Sequence, residues 1–154
     1  MGALAKLRAL TPAERQLLVV ALATAPFVAF GLTIFGFRRT HSALARWSQP
    51  RGEPVPTGDA ATARALSAAR IVGIAAGSGP VRTSCLRRSL LLWSLLRREG
   101  IETALRVGVN RDDGTFRAHA WVEYRGKPLN DDEDIAARFP AFAQDFGASR
   151  AEAS

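Results

Sequence analysis

The sequence predicts an α+β fold from three features of its pattern. Up to about residue 100, apolar positions recur at helical spacing between cap and stop signals. Beyond residue 104, two stretches alternate apolar and polar side chains. Turn chemistry, "NRDDGT", separates those two stretches. Helices first and a small antiparallel sheet after them is the order of an α+β domain rather than of a parallel α/β sheet. With 154 residues, 47% hydrophobic and 23% charged, the chain suits one domain with a real core, plus an appendage.

The first helix begins at a capping box: Thr11 as cap, Pro12 at the first helical position and Glu14 three residues on. From Leu17 to Gly36 there are then 20 residues without a charge, which reaches the length of a membrane span. Pro26 and Gly31 equally suit two shorter helices forming a membrane-associated hairpin or an apolar surface for a partner. Arginines bound both ends, so the charge asymmetry that orients a span is missing. Ala23-Thr24-Ala25 imitates a signal-peptidase site, but Pro26 directly after it argues against cleavage. "WSQPRGEPVPTG", residues 47–58, reads as a linker. The expected organisation is an apolar helical appendage with a Pro-rich linker over 1–56 and the working domain over 57–154.

"DAATARALSAARIVGIAAG" predicts an Ala-rich helix from Asp59 to Gly77, with Leu66, Ala69 and Ile74 available for its packing face. "SCLRRSLLLWSLLRREG" predicts a helix capped by Thr83 or Ser84 and stopped by Gly100. Its leucines and Trp93 cover most of the circumference, leaving a narrow polar strip near Arg87, Ser94 and Arg98, so it belongs at the centre of a core. "ALRVGV" and "FRAHAWVEY" are the two alternating strands. "RGKPLNDD" turns the chain into a short third strand. A three-residue loop, with Gly126 left-handed, would pair Glu123 with Lys127 and set His119 directly opposite Asp131.

Charge narrows the function. Residues 1–100 hold 14 basic against four acidic groups, and residues 101–154 hold seven basic against ten acidic. The arginines are scattered and accompany no nucleic-acid-binding motif, so no nucleic-acid partner is expected. One cysteine excludes an intrachain disulfide. Two histidines without metal-ligand spacing lead us to expect no metal and no cofactor.

The one cysteine, Cys85, stands at a helix N-terminus, where unpaired N–H groups and the helix dipole favour negative charge and supply an oxyanion donor. A lone Cys is more often a small buried hydrophobe. His119 and Asp131 change that balance. In the expected register the carboxylate holds one ring nitrogen and leaves the other for a thiol. Asp132 points to the opposite face, and Asp132, Glu133 and Asp134 read as a solvated turn. Trp121, Arg117 and Glu123 share the His119 face as core or rim, Asn130 faces away, and His41 reads as a surface or interfacial residue. Cysteine, histidine and aspartate in that chain order, with the cysteine on a helix end, is a papain-like or transglutaminase-like arrangement.

"SCLRRSLLLWSLLRREGI", "LRVGV" and "AHAWVEYRGKPLND" together resemble the transglutaminase-like leader peptidases of lasso-peptide biosynthesis, closely over residues 60–135 and loosely over the apolar N-terminal segment. The resemblance implies a cysteine peptidase with Cys85, His119 and Asp131 as its triad. It implies action on the leader of a ribosomal precursor peptide; the expected location is the cytoplasm, with the uncharged length of residues 17–36 offering membrane association or a partner surface. Some members carry a fused leader-recognition domain for which this chain has no room. The implied partners are therefore the precursor, a separate leader-recognition protein and a lasso cyclase, with a membrane surface as a further one. Two rival readings stand beside it: acyl transfer through the same thioester, and a non-catalytic membrane-associated scaffold.

Overall fold

The computed structural model describes residues 8–50, 57–77 and 84–142. Helix α1 spans Pro12–Ile34, α2 Gly36–Trp47, α3 Asp59–Gly77 and α4 Cys85–Arg98; strands β1 (Ala104–Asp112), β2 (Thr115–Tyr124) and β3 (Lys127–Pro128) follow, then a one-turn helix α5 (Ile135–Arg138). The strands form an antiparallel sheet in the order β1-β2-β3. This is the α+β architecture expected: a cysteine-bearing helix on a small antiparallel sheet, with an apolar N-terminal helix.

Helix α1 starts at the capping box: Glu14 N–H donates to Thr11 Oγ1 at 3.3 Å and Thr11 N–H donates to Glu14 Oε2 at 2.9 Å. Pro26 does not break it, because its ring lies on the exposed side of a helix whose other face is packed. The break falls later, at Phe35, and α2 folds back so closely that a Cβ on Gly31 would stand 2.9 Å from Thr40 Oγ1. Gly31 is thus the contact between α1 and α2 rather than the end of a helix.

The inner face of α1, Leu17, Leu18, Ala21 and Val28, joins one apolar cluster with Leu44 of α2, Ala65, Ala68, Ile71 and Val72 of α3, and Leu90–Leu92, Trp93, Leu95 and Leu96 of α4. Leu105 and Val122 close it from the sheet side. Full burial of a Leu, Ile or Val contributes roughly 1.5–3 kcal/mol, so this cluster is the main source of cohesion. On α3 three alanines are buried beside Ile71 and Val72, and Leu66, expected on the packing face, is 53% exposed. Alanines let α3 approach α1 and α4 closely, and that approach rotates Leu66 outward. Ser94, expected in the polar strip of α4, is fully buried and satisfies itself by donating to Leu91 O at 2.8 Å. His41 stacks on Trp93 with ring centroids 4.5 Å apart, so it is a packing residue rather than a surface one. The linker's central residues, 51–56, where the expected division between 1–56 and 57–154 falls, lie outside the described residues.

Two polar ties hold the helices in register. Arg64 donates to both carboxylate oxygens of Glu99 at 2.8 and 2.9 Å, joining α3 to the end of α4. Glu14, besides capping α1, accepts from Ser67 Oγ at 2.9 Å and meets the Arg70 guanidinium. The Thr11 backbone N–H, then the Ser67 hydroxyl and the Arg70 guanidinium, outweigh the effect of burial and hold the Glu14 carboxyl down to about 2.

A carboxylate whose folded value is depressed contributes stability above its unfolded value and loses it as pH falls toward the folded one. Glu14→Gln should therefore lower the urea midpoint fully at pH 6–7. Its deficit against the wild type should shrink as pH falls from about 4.5 toward about 2. Midpoints measured across that range check this; a deficit independent of pH would contradict the assigned role.

Candidate active site

Cys85 is the first residue of α4 and half-buried. Ser84 caps the helix, its Oγ accepting from Arg87 N–H at 3.3 Å. Thr83, the alternative cap, lies outside the described residues. By helix geometry the N–H groups of Cys85 and Leu86 have no intrahelical acceptor, so they point out of the helix end beside the thiol.

Ser89, one turn beyond Cys85 on the same side of α4, fixes that side against β2. Its Oγ donates to Ala120 O at 2.8 Å and accepts from Asn130 Nδ2 at 2.9 Å. Asn130 Oδ1 in turn accepts from Val122 N–H at 2.8 Å. The cysteine-bearing turn is therefore pinned to the strand segment that begins at His119. No hydrogen bond joins Cys85 to His119 among the described residues; the two stand on elements clamped together one turn away.

His119 Nε2 lies 2.5 Å from Asp131 Oδ2. A carboxylate only accepts, so Nε2 is the nitrogen that donates to Asp131, and Nδ1 is the ring nitrogen turned away from the carboxylate. The other carboxylate oxygen, Oδ1, accepts from Asp132 N–H at 3.0 Å, and Arg88 approaches Oδ2 at 4.0 Å. The side chains are 23% exposed for His119 and 13% for Asp131, whereas Asp132 is 80% exposed.

The expected pairing of His119 with Asp131 rested on a register that the structure corrects. The loop has two residues, Arg125 and Gly126, both with positive φ (51° and 77°), and it pairs Tyr124 with Lys127 and Glu123 with Pro128. That is a tight hairpin turn whose twist matches the strands. Continued, this register would set Asp132 opposite His119. The ladder instead ends at Pro128. Leu129 N–H still donates to Val122 O at 2.8 Å, but Val122 N–H takes the Asn130 side chain where the ladder would offer a backbone carbonyl. The chain leaves the sheet there and swings Asp131 onto the imidazole. Asn130, expected to face away, is the residue that makes the exit.

Two further features escaped the sequence. Gly108 pairs with His119 across β1 and β2, and a Cβ on it would stand 2.5 Å from Phe139 O. The segment 139–142 runs along β1, with Phe142 N–H donating to Val107 O at 3.0 Å, and lays the Phe139 ring 5.2 Å from the imidazole. Trp121, 6.4 Å away on the same face, is fully buried, and its indole N–H donates to Glu123 Oε1 at 2.9 Å. Glu123 also holds Arg106 at 3.0 Å. The face bearing His119 is thus covered on the side of Trp121 and by the Phe139 ring, and exposed beyond the imidazole at Arg117. No three His, Cys, Asp or Glu side chains gather as a metal-ligand set among the described residues.

The sequence profile of the transglutaminase-like superfamily matches residues 28–143, so the chain belongs to that superfamily, which includes cysteine peptidases and acyltransferases. No curated protein and no solved structure matches it. The matched span takes in the last seven residues of α1 and all of α2.

Asn130→Ala should remove the bridge between Ser89 and Val122, leaving a buried N–H unpaired at a cost of about 1–3 kcal/mol. Thermal unfolding should register that loss. Gly108→Ala should displace the 139–142 segment and so reduce both stability and any activity that depends on His119; an unchanged melting temperature in Gly108→Ala would contradict the close approach.

Proposed function

We propose that this protein is a cysteine peptidase that removes the leader from a ribosomally made precursor peptide, as in lasso-peptide maturation. The observation that carries the chemistry is the His119–Asp131 contact beside a helix whose first residue is Cys85, in a chain of the transglutaminase-like superfamily. Membership of that superfamily supports cysteine-based chemistry. The motifs "SCLRRSLLLW" and "AHAWVEYRGKPLND" support the leader-peptidase reading.

In this reading Cys85 Sγ attacks the carbonyl at the leader–core junction while His119 Nδ1 accepts the thiol proton. Asp131 holds the ring through Nε2 and stabilises the imidazolium. The Cys85 N–H, at the open end of α4, donates to the tetrahedral oxyanion. His119 returns the proton to the departing amine, the core peptide leaves with a free N-terminus, and the leader remains as a thioester. Water, deprotonated by His119, attacks that thioester; the C–S bond breaks and Cys85 recovers its proton. The precursor, a separate leader-recognition protein and a cyclase that takes the core amine are the partners this route calls for, in the cytoplasm or at its membrane face.

The test is mass spectrometry of a precursor peptide incubated with this protein and its recognition partner. Free leader acid and free core amine are expected, and Cys85→Ala should abolish both. A leader carrying the mass of an added amine would convert the reading to acyl transfer. Intact precursor with a folded protein would leave the scaffold reading. Asp131→Asn should lower the cleavage rate by about 10²–10⁴, since losing an orienting aspartate leaves the imidazole in the wrong tautomer. Asp132→Asn should change the rate little.

A further inference from the structure

The outer side of α1 is the part of the molecule that the proposed peptidase chemistry leaves unused. Val19, Leu22, Phe27, Phe30 and Ile34 recur every three to five residues on one side of that helix, and Phe35 follows at its end. Phe27 is 73% exposed and Phe30 61%. The stripe extends about 24 Å, at 1.5 Å of rise per residue. Val19, Phe27, Phe30 and Phe35 of this stripe also line a groove of about 740 Å³ between α1 and α2, which Thr24, Leu44 and Trp47 complete, with Arg39 and Arg98 in its lining. Exposed apolar surface this continuous marks a docking face.

Its charge says what docks. Among residues 8–50 the charged side chains are Arg8, Arg15, Arg38, Arg39, Arg46 and Glu14. The acid is turned away onto Ser67 and Arg70 of α3. Arg38, Arg39 and Arg46 are exposed on α2, directly after the apolar stripe. A peptide groove needs polar groups to orient its ligand, and here two threonines, two arginines and the indole N–H of Trp47 are the polar groups that side chains bring to an otherwise apolar lining. An exposed apolar stripe and groove followed by the exposed arginines of α2, with no exposed acid among residues 8–50, suit a lipid surface that is apolar within and anionic at its face.

We propose that α1 and α2 attach the protein to the surface of a bilayer containing anionic phospholipid. The helix lies in the plane of the interface and does not cross it. Length and composition alone would let α1 span a membrane. Crossing, however, would pull Leu17, Leu18, Ala21 and Val28 out of the core they share with α3 and α4. With the inner face kept on the protein, Phe27 and Phe30 enter the acyl region and Arg38, Arg39 and Arg46 meet the phosphates. This attachment holds or fails independently of the peptidase chemistry.

The experiment is co-sedimentation of the full chain with vesicles of phosphatidylcholine and with vesicles in which a third of the lipid is phosphatidylglycerol. The protein should pellet with the anionic vesicles, be released by added salt, and be extracted by alkaline carbonate. Arg38→Gln/Arg39→Gln/Arg46→Gln should weaken anionic binding by about a hundredfold, from roughly fivefold per arginine. Phe27→Ser/Phe30→Ser should abolish pelleting while the circular dichroism spectrum stays that of the wild type, since both rings are exposed. Equal binding to both vesicle types, no binding to either, or resistance to carbonate would overturn the proposal. So would a concentration-dependent dimer, or an acidic peptide complex, that the same Phe variants abolish in place of vesicle binding.

Discussion

Helix α4 is apolar around most of its circumference, and that single fact dictates what surrounds it. From Ser89 to Leu96 every residue is buried, so the helix needs cover on all sides. The inner faces of α1 and α3 supply it on one side, with Leu44 of α2, and the sheet supplies it on the other through Leu105, Ala120 and Val122. A helix so enclosed is rigid, and its two ends are the parts left open. One end is tied off by the Arg64–Glu99 pair. The other carries Cys85, and the enclosure gives that residue a fixed position without burying it.

The same enclosure explains why a polar link was needed near the cysteine. Ser89 is the one hydroxyl that α4 turns onto β2, and it is satisfied there by the Ala120 carbonyl and the Asn130 amide. Asn130 then serves both α4 and β2, and by taking the Val122 N–H it ends the β2–β3 ladder. Asp131 reaches His119 because the ladder has ended at Pro128 and the chain has left the strand before it. The Ser89 link of the helix, the end of the strand and the contact of carboxylate with imidazole are therefore connected through Asn130.

The sequence shows the parts of this arrangement that depend on local periodicity and caps. The Thr11–Glu14 capping box, the bounds of α3 and α4, the strand alternation around His119 and the α+β order are written in short-range patterns. The missed features depend on tertiary contacts. Pro26 stays inside a helix because its side of α1 is open. Leu66 is outside because alanines pack closer than leucine allows. Arg125 adopts a positive φ that a non-glycine residue rarely takes, so the loop read as three residues when it has two. The nearness of Asp131 to His119 was expected from a ladder that does not extend that far, and arises instead from the Asn130 side chain, whose three-way bridging has no signature in a single sequence. Gly108 and Phe139 are legible only once β1 and the 139–142 segment are seen side by side.

The central claim is that the clamp between α4 and β2 presents the Cys85 thiol to the free Nδ1 of His119, and it can be tested without any substrate. The measurement is the rate of iodoacetamide alkylation of Cys85 at neutral pH in the wild type, in His119→Ala and in Asp131→Asn, each checked for fold by circular dichroism. The account predicts alkylation faster than that of free cysteine in the wild type, and a marked slowing in both variants, because each removes or misdirects the nitrogen that takes the thiol proton. A rate that is the same in all three proteins, or slow in all three, would mean that Cys85 is a packing residue and that His119 and Asp131 serve something other than this thiol.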